Sequence, residues 1–272
     1  MVSVKKKYFF SDWSQWREIL AQNNLFLFLD FDGTLAPIAD TPQKAKIDSS
    51  IKKLLRQLSF LRNCRVAIVS GRSLKDIKQK VCLPKIIYVG NHGFEIAGPQ
   101  INFAKKVSLK SKKIFKRIIE AVKIHREDFP GVVIQDKKMT LSIHYRLVEK
   151  KKAKLFEKYI KKVVTFYLKK GDIIVSQGKK VYEIYPPISW DKGKAVRWLL
   201  KKASYFQHKK EIKSIYIGDD ETDENALKVL RKKGLAIRVG EKRFSHALYY
   251  FHDVNDVREF LERILLLKRG QE

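Results

Sequence analysis

Residues 25–34 read Leu-Phe-Leu-Phe-Leu-Asp-Phe-Asp-Gly-Thr. Apolar residues at both parities mark a strand buried on both faces, which is the condition of an inner strand in a parallel sheet. Asp30 ends that strand. Asp32, two residues on, faces the same way in an extended chain. Two carboxylates brought together at a sheet edge repel each other unless a cation or a shared proton offsets the repulsion. Gly33 permits a tight turn with close backbone approach.

Outward from this stretch the pattern alternates. Residues 48–62 place Ile51, Leu54, Leu55, Leu58 and Leu61 at helical spacing, with Asp48 or Ser49 as the cap. RVAIVS at 65–70 and KIIYVG at 85–90 are further buried strands, with a short helix at 73–81 between them. Residues 11–23 form an amphipathic helix around Trp13, Trp16 and Ile19. Strand, helix, strand, helix, strand predicts an α/β fold with a Rossmann-like, doubly wound parallel sheet. The middle of the chain departs from this pattern. A helix at 110–127, two short antiparallel strands around Asp136–Lys138, a helix at 149–169 and two more short strands make an α+β insert. The alternation then resumes with a helix at 192–207, a strand at 214–218, a helix at 222–232, a strand at 235–240 and a helix at 254–267. The expected organisation is a core of residues 1–98 and 188–272 interrupted by an α+β cap at 99–187.

Composition narrows the class. The hydrophobic fraction of 44% supplies a core, so disorder is excluded for most of the length. The N-terminus starts basic but lacks the apolar run of a signal peptide, and no apolar stretch is long enough to span a bilayer, which reads as a cytoplasmic protein. Cys64 and Cys82 both lie among apolar residues and are expected to be buried thiols rather than a disulfide. The net charge of +29 comes from Lys and Arg spread along the whole chain. It allows three readings: a lysine-rich solvated surface, attraction of anionic substrates, or nucleic-acid binding. The expected partner is a small molecule, with neither nucleic acid nor membrane, and the chain is expected to act as a monomer.

Three further polar clusters follow buried strands or open helices. Ser70-Gly71-Arg72 offers a hydroxyl and backbone N–H groups to a phosphate oxygen, or simply caps a helix. Asp191-Lys192-Gly193-Lys194 opens a helix with lysines, which the helix dipole disfavours unless an anion is near. Asp219-Asp220-Glu221-Thr222-Asp223-Glu224 packs five carboxylates into six residues at a helix start. One cap needs one or two acids, and a hard cation accounts for the excess.

The four clusters in this order resemble the haloacid dehalogenase-like (HAD-like) phosphatases. The strings DFDGTLAPI, VSGR, GNHGFEI, DKKMTLSIHYR, YEIYPPISWDKGKA and GDDETDENAL, spanning residues 30 to about 228, resemble trehalose-6-phosphate phosphatases within that group. The resemblance implies a HAD-like core and hydrolysis of a sugar phosphate through an aspartyl-phosphate. It implies Asp30 as nucleophile and Asp32 as general acid and then base. Thr34, Ser70, Gly71 and Lys192 hold the phosphoryl group, with Lys192 counted as catalytic. Mg2+ is held by Asp30, Asp219 and the Asp32 carbonyl, with Asp220 and Asp223 as further candidates. By the same resemblance Asn91, His92, Lys137 (or Lys138), His144, Arg146 and Glu183 bond the sugar. Two positions depart from the family pattern: Tyr185 stands where arginine is usual, and Phe31 where tyrosine is frequent. Two crossings between core and cap predict hinge closure, which Pro186 and Pro187 would stiffen. The alternatives are a phosphatase of another sugar phosphate, such as sucrose phosphate, glucosylglycerol phosphate or mannosyl-3-phosphoglycerate, and a basic nucleic-acid-binding protein on the same fold.

Overall fold

The computed structural model of the chain describes residues 6–178, 180–205, 212–241 and 244–270. The chain divides into two compact units, Met1–Ala104 with Trp190–Glu272 and Lys105–Ser189. In chain order the first stretch carries β1 (Lys7–Tyr8), α1 (Trp13–Gln22), β2 (Asn24–Leu29), α2 (Ser49–Phe60), β3 (Cys64–Val69), α3 (Leu74–Val81), β4 (Ile87–Gly90), β5 (Glu95–Gly98) and β6 (Ile101–Ala104). The inserted unit carries α4 (Leu109–Ile124), β7 (Val133–Asp136), β8 (Leu141–His144), α5 (Lys150–Lys169), β9 (Ile174–Gly178) and β10 (Val181–Tyr185). The first unit then resumes with α6 (Lys192–Tyr205), β11 (Ile212–Gly218), α7 (Glu224–Arg231), β12 (Leu235–Val239), β13 (Tyr249–Phe251) and α8 (Val254–Arg269).

The core sheet has nine strands in the order β1-β13-β12-β11-β2-β3-β4-β5-β6. It is parallel from β1 to β4, and β5 and β6 add an antiparallel edge. Side-chain alternation splits each inner strand between two cores. Leu25, Leu27 and Leu29 of β2 join Val66, Ile68, Ile215, Ile217 and Ile237 on one face, under α2, α3 and α8. Phe26 and Phe28 join Ala67, Val69, Tyr216 and Ala236 on the other, under α6 and α7. The strand β2 lies between β3, which follows it in sequence, and β11, which returns from the far side of the insert. The order reverses there, and in open α/β sheets ligands bind at the carboxyl ends of strands at such a point.

The inserted unit has its own core and a four-stranded antiparallel sheet, β7-β8-β10-β9. Leu141, Ile143, Tyr182 and Ile184 pack against Ile118 of α4 and Phe156 and Ile160 of α5. Ser142, His144 and Glu183, at the alternate positions, belong to the opposite face of the sheet.

The structure corrects the sequence reading in a few places. The outer strands β1, β5, β6 and β13 are only two to four residues long, and the sequence reading assigned none of them. The turn that joins β5 to β6 places Gln100 at φ 58, a conformation its residue type does not advertise. Residues 99–104 belong to the same compact unit as the preceding strands, and residues 188–189 to the inserted unit. Cys64 is buried, but Cys82 is exposed, because it takes the left-handed position (φ 51) that ends α3. On α1 the fully buried residue is Leu20, while Ile19 stays exposed. Asp48 is the cap of α2, accepting from the Ser50 N–H at 2.8 Å. Among the described residues no helix is long and apolar enough to cross a membrane.

Candidate active site

The Asp30 N–H extends the sheet ladder by one step, donating to the Ile217 carbonyl at 2.9 Å, and this sets Asp30 beside the end of β11. The chain then folds back over residues 31–36. The Phe31 carbonyl accepts from the Leu35 and Ala36 N–H groups at 2.9 Å each, and the Gly33 N–H donates to the Ala36 carbonyl at 2.7 Å. Gly33 sits at φ +83, and a Cβ there would lie 2.3 Å from Asp219 Oδ2. Its absent side chain is what lets the two acidic segments approach each other.

Lys192 opens α6. Asp191 caps this helix, accepting from the Lys194 N–H at 2.8 Å. The buried Lys192 ammonium donates to Asp30 Oδ1 and to Asp223 Oδ1, each at 2.7 Å. Asp223 is fully buried, and it also accepts from Tyr216 Oη at 2.6 Å and from the Asp220 N–H at 3.0 Å. Beneath the acidic loop, the Arg238 guanidinium donates to the Asp219 carbonyl, to the Asp220 carbonyl at 3.3 Å and to Glu224 Oε1 at 2.7 Å.

A second group forms at the ends of β3 and β4. The Asn91 N–H donates to the Arg72 carbonyl at 2.7 Å and the His92 N–H to the Ser70 carbonyl at 3.0 Å. Asn91, His92 and Gly93 all have positive φ, at 50, 56 and 103. Such a run in non-glycine residues stores strain that packing must hold, a habit of functional segments. Gly71 admits the His92 ring, whose Cε1 would lie 2.5 Å from a Cβ at that position. The Ser70 hydroxyl is buried and accepts from the Arg72 N–H at 3.2 Å. Arg72 holds both oxygens of Asp32, at 2.7 and 2.6 Å, and one of Asp76 at 2.8 Å. Its guanidinium lies 5.3 Å from the centre of the Phe31 ring.

The electrostatics follow from burial. Burial pushes the Asp30 carboxyl well above the usual carboxylate range. Lys192 opposes this, while Asp223 and Asp219 add to it. Asp219 is pushed up to about 7 by burial and by the Asp223 and Asp220 charges. Burial works against the charge of Lys192, yet Asp223 and Asp30 outweigh it and raise its pKa. Burial and Asp223 also raise Tyr216, which keeps it a hydrogen-bond donor. Asp30, Asp219 and Asp223 bring ligand oxygens within 4.8 Å of one another, with one lysine among them. Asp219 Oδ1 is buried with no hydrogen-bond partner among the described residues. An all-carboxylate set short of positive charge fits a hard divalent cation.

The residues singled out in the sequence therefore separate. Asp30, Lys192, Asp219 and Asp223 share one cluster. The Asp220 carboxylate turns to cap the short turn after β11, accepting from the Glu221 N–H at 2.7 Å. The Asp32 carboxylate is with Arg72. The Thr34 hydroxyl is buried and has no hydrogen-bond partner among the described residues. Asn91 and His92 belong to the core unit, whereas Lys137, His144, Arg146 and Glu183 belong to the inserted one. There Glu183 Oε2 accepts from Ser142 Oγ at 2.6 Å and pairs with Lys137 at 3.4 Å, and the His144 ring lies 3.0 Å from Gln135 Oε1. Tyr216 and Arg238 were not read as site residues. A polar residue near the carboxyl end of a buried strand was the available signal for both.

Replacing Gly33 with alanine is expected to destabilise the protein by about 1–3 kcal/mol, through the positive φ and the contact with Asp219. Thermal unfolding with and without a divalent cation checks it. An unchanged melting temperature in both would show that the two segments do not need this close approach.

Three comparisons bear on this geometry. A family model described as trehalose-phosphatase matches residues 28–253. The chain is 35% identical over 259 residues to trehalose-phosphate phosphatase B of Arabidopsis thaliana, covering 90% of this chain and 67% of the relative. Among solved structures it is similar to a trehalose-6-phosphate phosphatase related protein, with a TM-score of 0.73 and 27% identity, covering 91% of this chain and 100% of that one. The fold is also that of a haloacid dehalogenase-like hydrolase from Bacteroides thetaiotaomicron, with a TM-score of 0.63 and 16% identity, over 89% and 100% of the two chains.

Proposed function

The chain belongs to the trehalose-phosphatase family of phosphatase enzymes, and on that premise we propose that it hydrolyses trehalose 6-phosphate to trehalose and inorganic phosphate. The observation that carries the reading is the cluster of buried Asp30, Lys192 and Asp223 with half-buried Asp219 at the switch point of the sheet.

In the proposed reaction an Asp30 carboxylate oxygen attacks phosphorus and the bond from phosphorus to the sugar oxygen breaks, leaving an aspartyl-phosphate. Covalent catalysis divides one hard step into two easier ones. Asp32 gives its proton to the departing sugar oxygen and later takes a proton from the water that attacks the aspartyl-phosphate. Phosphate leaves and the Asp30 carboxylate returns. Because Arg72 engages both Asp32 oxygens, one of those bonds must open for each proton transfer, and Asp76 remains as a partner of Arg72. Ser70, Gly71, Thr34 and Lys192 bind the phosphoryl oxygens, and Lys192 also offsets part of the burial that opposes charge on Asp30. Asp30, Asp219, Asp223 and the Asp32 carbonyl would hold Mg2+, which when bound neutralises charge on the carboxylates and the phosphoryl group. Asp220 serves by shaping the loop. Asn91 and His92 in one unit, and Lys137, His144, Arg146 and Glu183 in the other, are assigned to the sugar hydroxyls. We place the enzyme in the cytoplasm, acting as a monomer.

Tyr185 favours a second reading. At the end of β10 it replaces a family arginine, which would shift preference toward another sugar phosphate on the same machinery. Phosphate release is therefore to be measured, with Mg2+ and with EDTA, from trehalose 6-phosphate, sucrose 6-phosphate, glucose 6-phosphate and mannosyl-3-phosphoglycerate. Preference for the first, lost in EDTA, is the expected result. Preference for another sugar phosphate supports the second reading. Inactivity on all four overturns both.

A further inference from the structure

The helices α6 and α7 enclose a groove of about 640 Å³ that the proposed reaction does not use. Six cations line it: Lys194, Arg197 and Lys201 from α6, and Lys228, Lys232 and Lys233 from α7 and its end. The first three are spaced three and four residues apart, so they share one helix face. Lys228 and Lys232, four apart, share a face of α7 and its cap. Among the described residues the single lining carboxylate, Asp191, already accepts the Lys194 N–H. The α6 segment contains no acid at all. The acid that opens α7, Glu224, is engaged by Arg238 and by the His246 N–H, at 2.7 and 2.8 Å. Among the described residues no ion pair engages Arg197, Lys228, Lys232 or Lys233. On other surfaces basic side chains do sit beside carboxylates, as Arg263 with Glu259 and Lys110 with Asp172, both at 2.5 Å. Lysine-richness alone scatters charge, whereas here two rows of one sign converge on a cleft. A low-dielectric cleft lined by one sign of charge concentrates counter-ions.

We propose that this groove is a binding site for a small anion carrying at least three linked phosphate groups. Its volume falls in the range of small-ligand pockets. The cation rows run about 10 Å along α6 and about 6 Å along α7, a span that a short phosphate chain covers. Lysines bind phosphate as point charges and do not require one fixed orientation. Among the described residues no aromatic side chain lines the groove, so these offer bases no stacking platform, which argues against single-stranded nucleic acid. Leu200 and Val229 supply the apolar part of the lining along which lysine stems can lie. Gly193 and Asn225 also belong to the lining, and a Cβ on Gly193 would lie 2.5 Å from the Asn225 carbonyl oxygen. The groove thus borders the contact between the first turns of α6 and α7. Those turns adjoin Lys192 and Asp223 of the catalytic cluster.

The test is calorimetric titration of the full chain with tripolyphosphate, with a nucleoside triphosphate and with a short single-stranded oligonucleotide, in low-chloride buffer without divalent cations. Tripolyphosphate is expected to bind. Its dissociation constant should rise at least tenfold in the exposed pair Arg197→Glu with Lys228→Glu. It should stay within about threefold in Asp30→Asn and in Lys112→Glu with Lys116→Glu, a pair on α4 with the same change of net charge. Arg197→Gln with Lys228→Gln serves as the milder variant, and p-nitrophenyl phosphate turnover with Mg2+ confirms that each groove variant is folded. Equal binding by the nucleoside triphosphate supports recognition of the phosphate chain itself, and binding of the nucleotide alone overturns it. Absence of binding, equal weakening in the α4 pair, loss in Asp30→Asn, or oligonucleotide binding more than about a hundredfold tighter would each overturn the assignment.

Discussion

Replacing Asp30 with asparagine is expected to lower phosphate release from the preferred sugar phosphate by about 10⁴-fold or more, the scale seen when a covalent nucleophile is removed. The amide is nearly isosteric, so the fold should survive. Lys192 keeps Asp223 as a partner at 2.7 Å, and one source of like-charge repulsion in the cluster is gone. The variant should therefore melt no lower than the parent when no divalent cation is present, while its affinity for such a cation falls because one ligand carboxylate is lost. Steady-state phosphate release, thermal unfolding and cation titration together separate these effects. A variant that retained more than a few per cent of parent turnover would rule out Asp30 as the atom that attacks phosphorus. Direct attack by water would then be the simpler reaction.

Replacing Lys192 with methionine should have the largest effect on stability. The ammonium is buried and lies 2.7 Å from two buried carboxylates. Without it, Asp30, Asp219 and Asp223 face one another with no cation of the described residues in the cluster. Breaking a buried ion pair by removing one partner costs about 3–5 kcal/mol. For a chain of this size that corresponds to a melting temperature roughly 10 °C lower. Two observations would accompany the loss if the charge argument holds. A divalent cation at high concentration should restore part of the stability, because it binds the folded carboxylates and not the unfolded chain. Lowering the pH should also restore part of it, since protonated carboxyls no longer repel. Activity should be lost under all these conditions, because the phosphoryl group loses a contact. A methionine variant that melts within a degree or two of the parent would show that Lys192 does not compensate the cluster.

Much of the fold is legible in the residues because the relevant forces are local and periodic. Leu25 to Leu29 predict a strand buried on both faces, and the two parities do enter different cores. Helical spacing at Ile51, Leu54, Leu55 and Leu58 corresponds to the buried face of α2. The short outer strands were not legible. A two-residue strand such as Lys7–Tyr8 exists because β13 offers it a ladder, not because of its own pattern. Cys82 illustrates the same limit at one residue: apolar neighbours suggest burial, but the chain reversal that ends α3 turns the thiol outward.

The candidate site divides along the same line. Residue type and position at the end of a buried strand marked Asp30, Ser70 and the acidic run 219–224, and a lysine at a helix start marked Lys192, because such ends leave polar groups clustered without breaking a core. Which of those acids share one cluster is a matter of through-space distance. Asp220 and Asp223 are indistinguishable as letters, yet one caps a turn and the other is fully buried against Lys192 and Tyr216. The pairing of Asp32 with Arg72, forty residues away, the brace of Arg238 under the Asp219 carbonyl, and the convergence of two basic rows on one groove likewise have no local signature. Hydrophobic periodicity and the chemistry of each side chain act within a few residues and are written in order along the chain. Ion pairing and close approach act across space, and only the packed sheet and its helices bring their partners together.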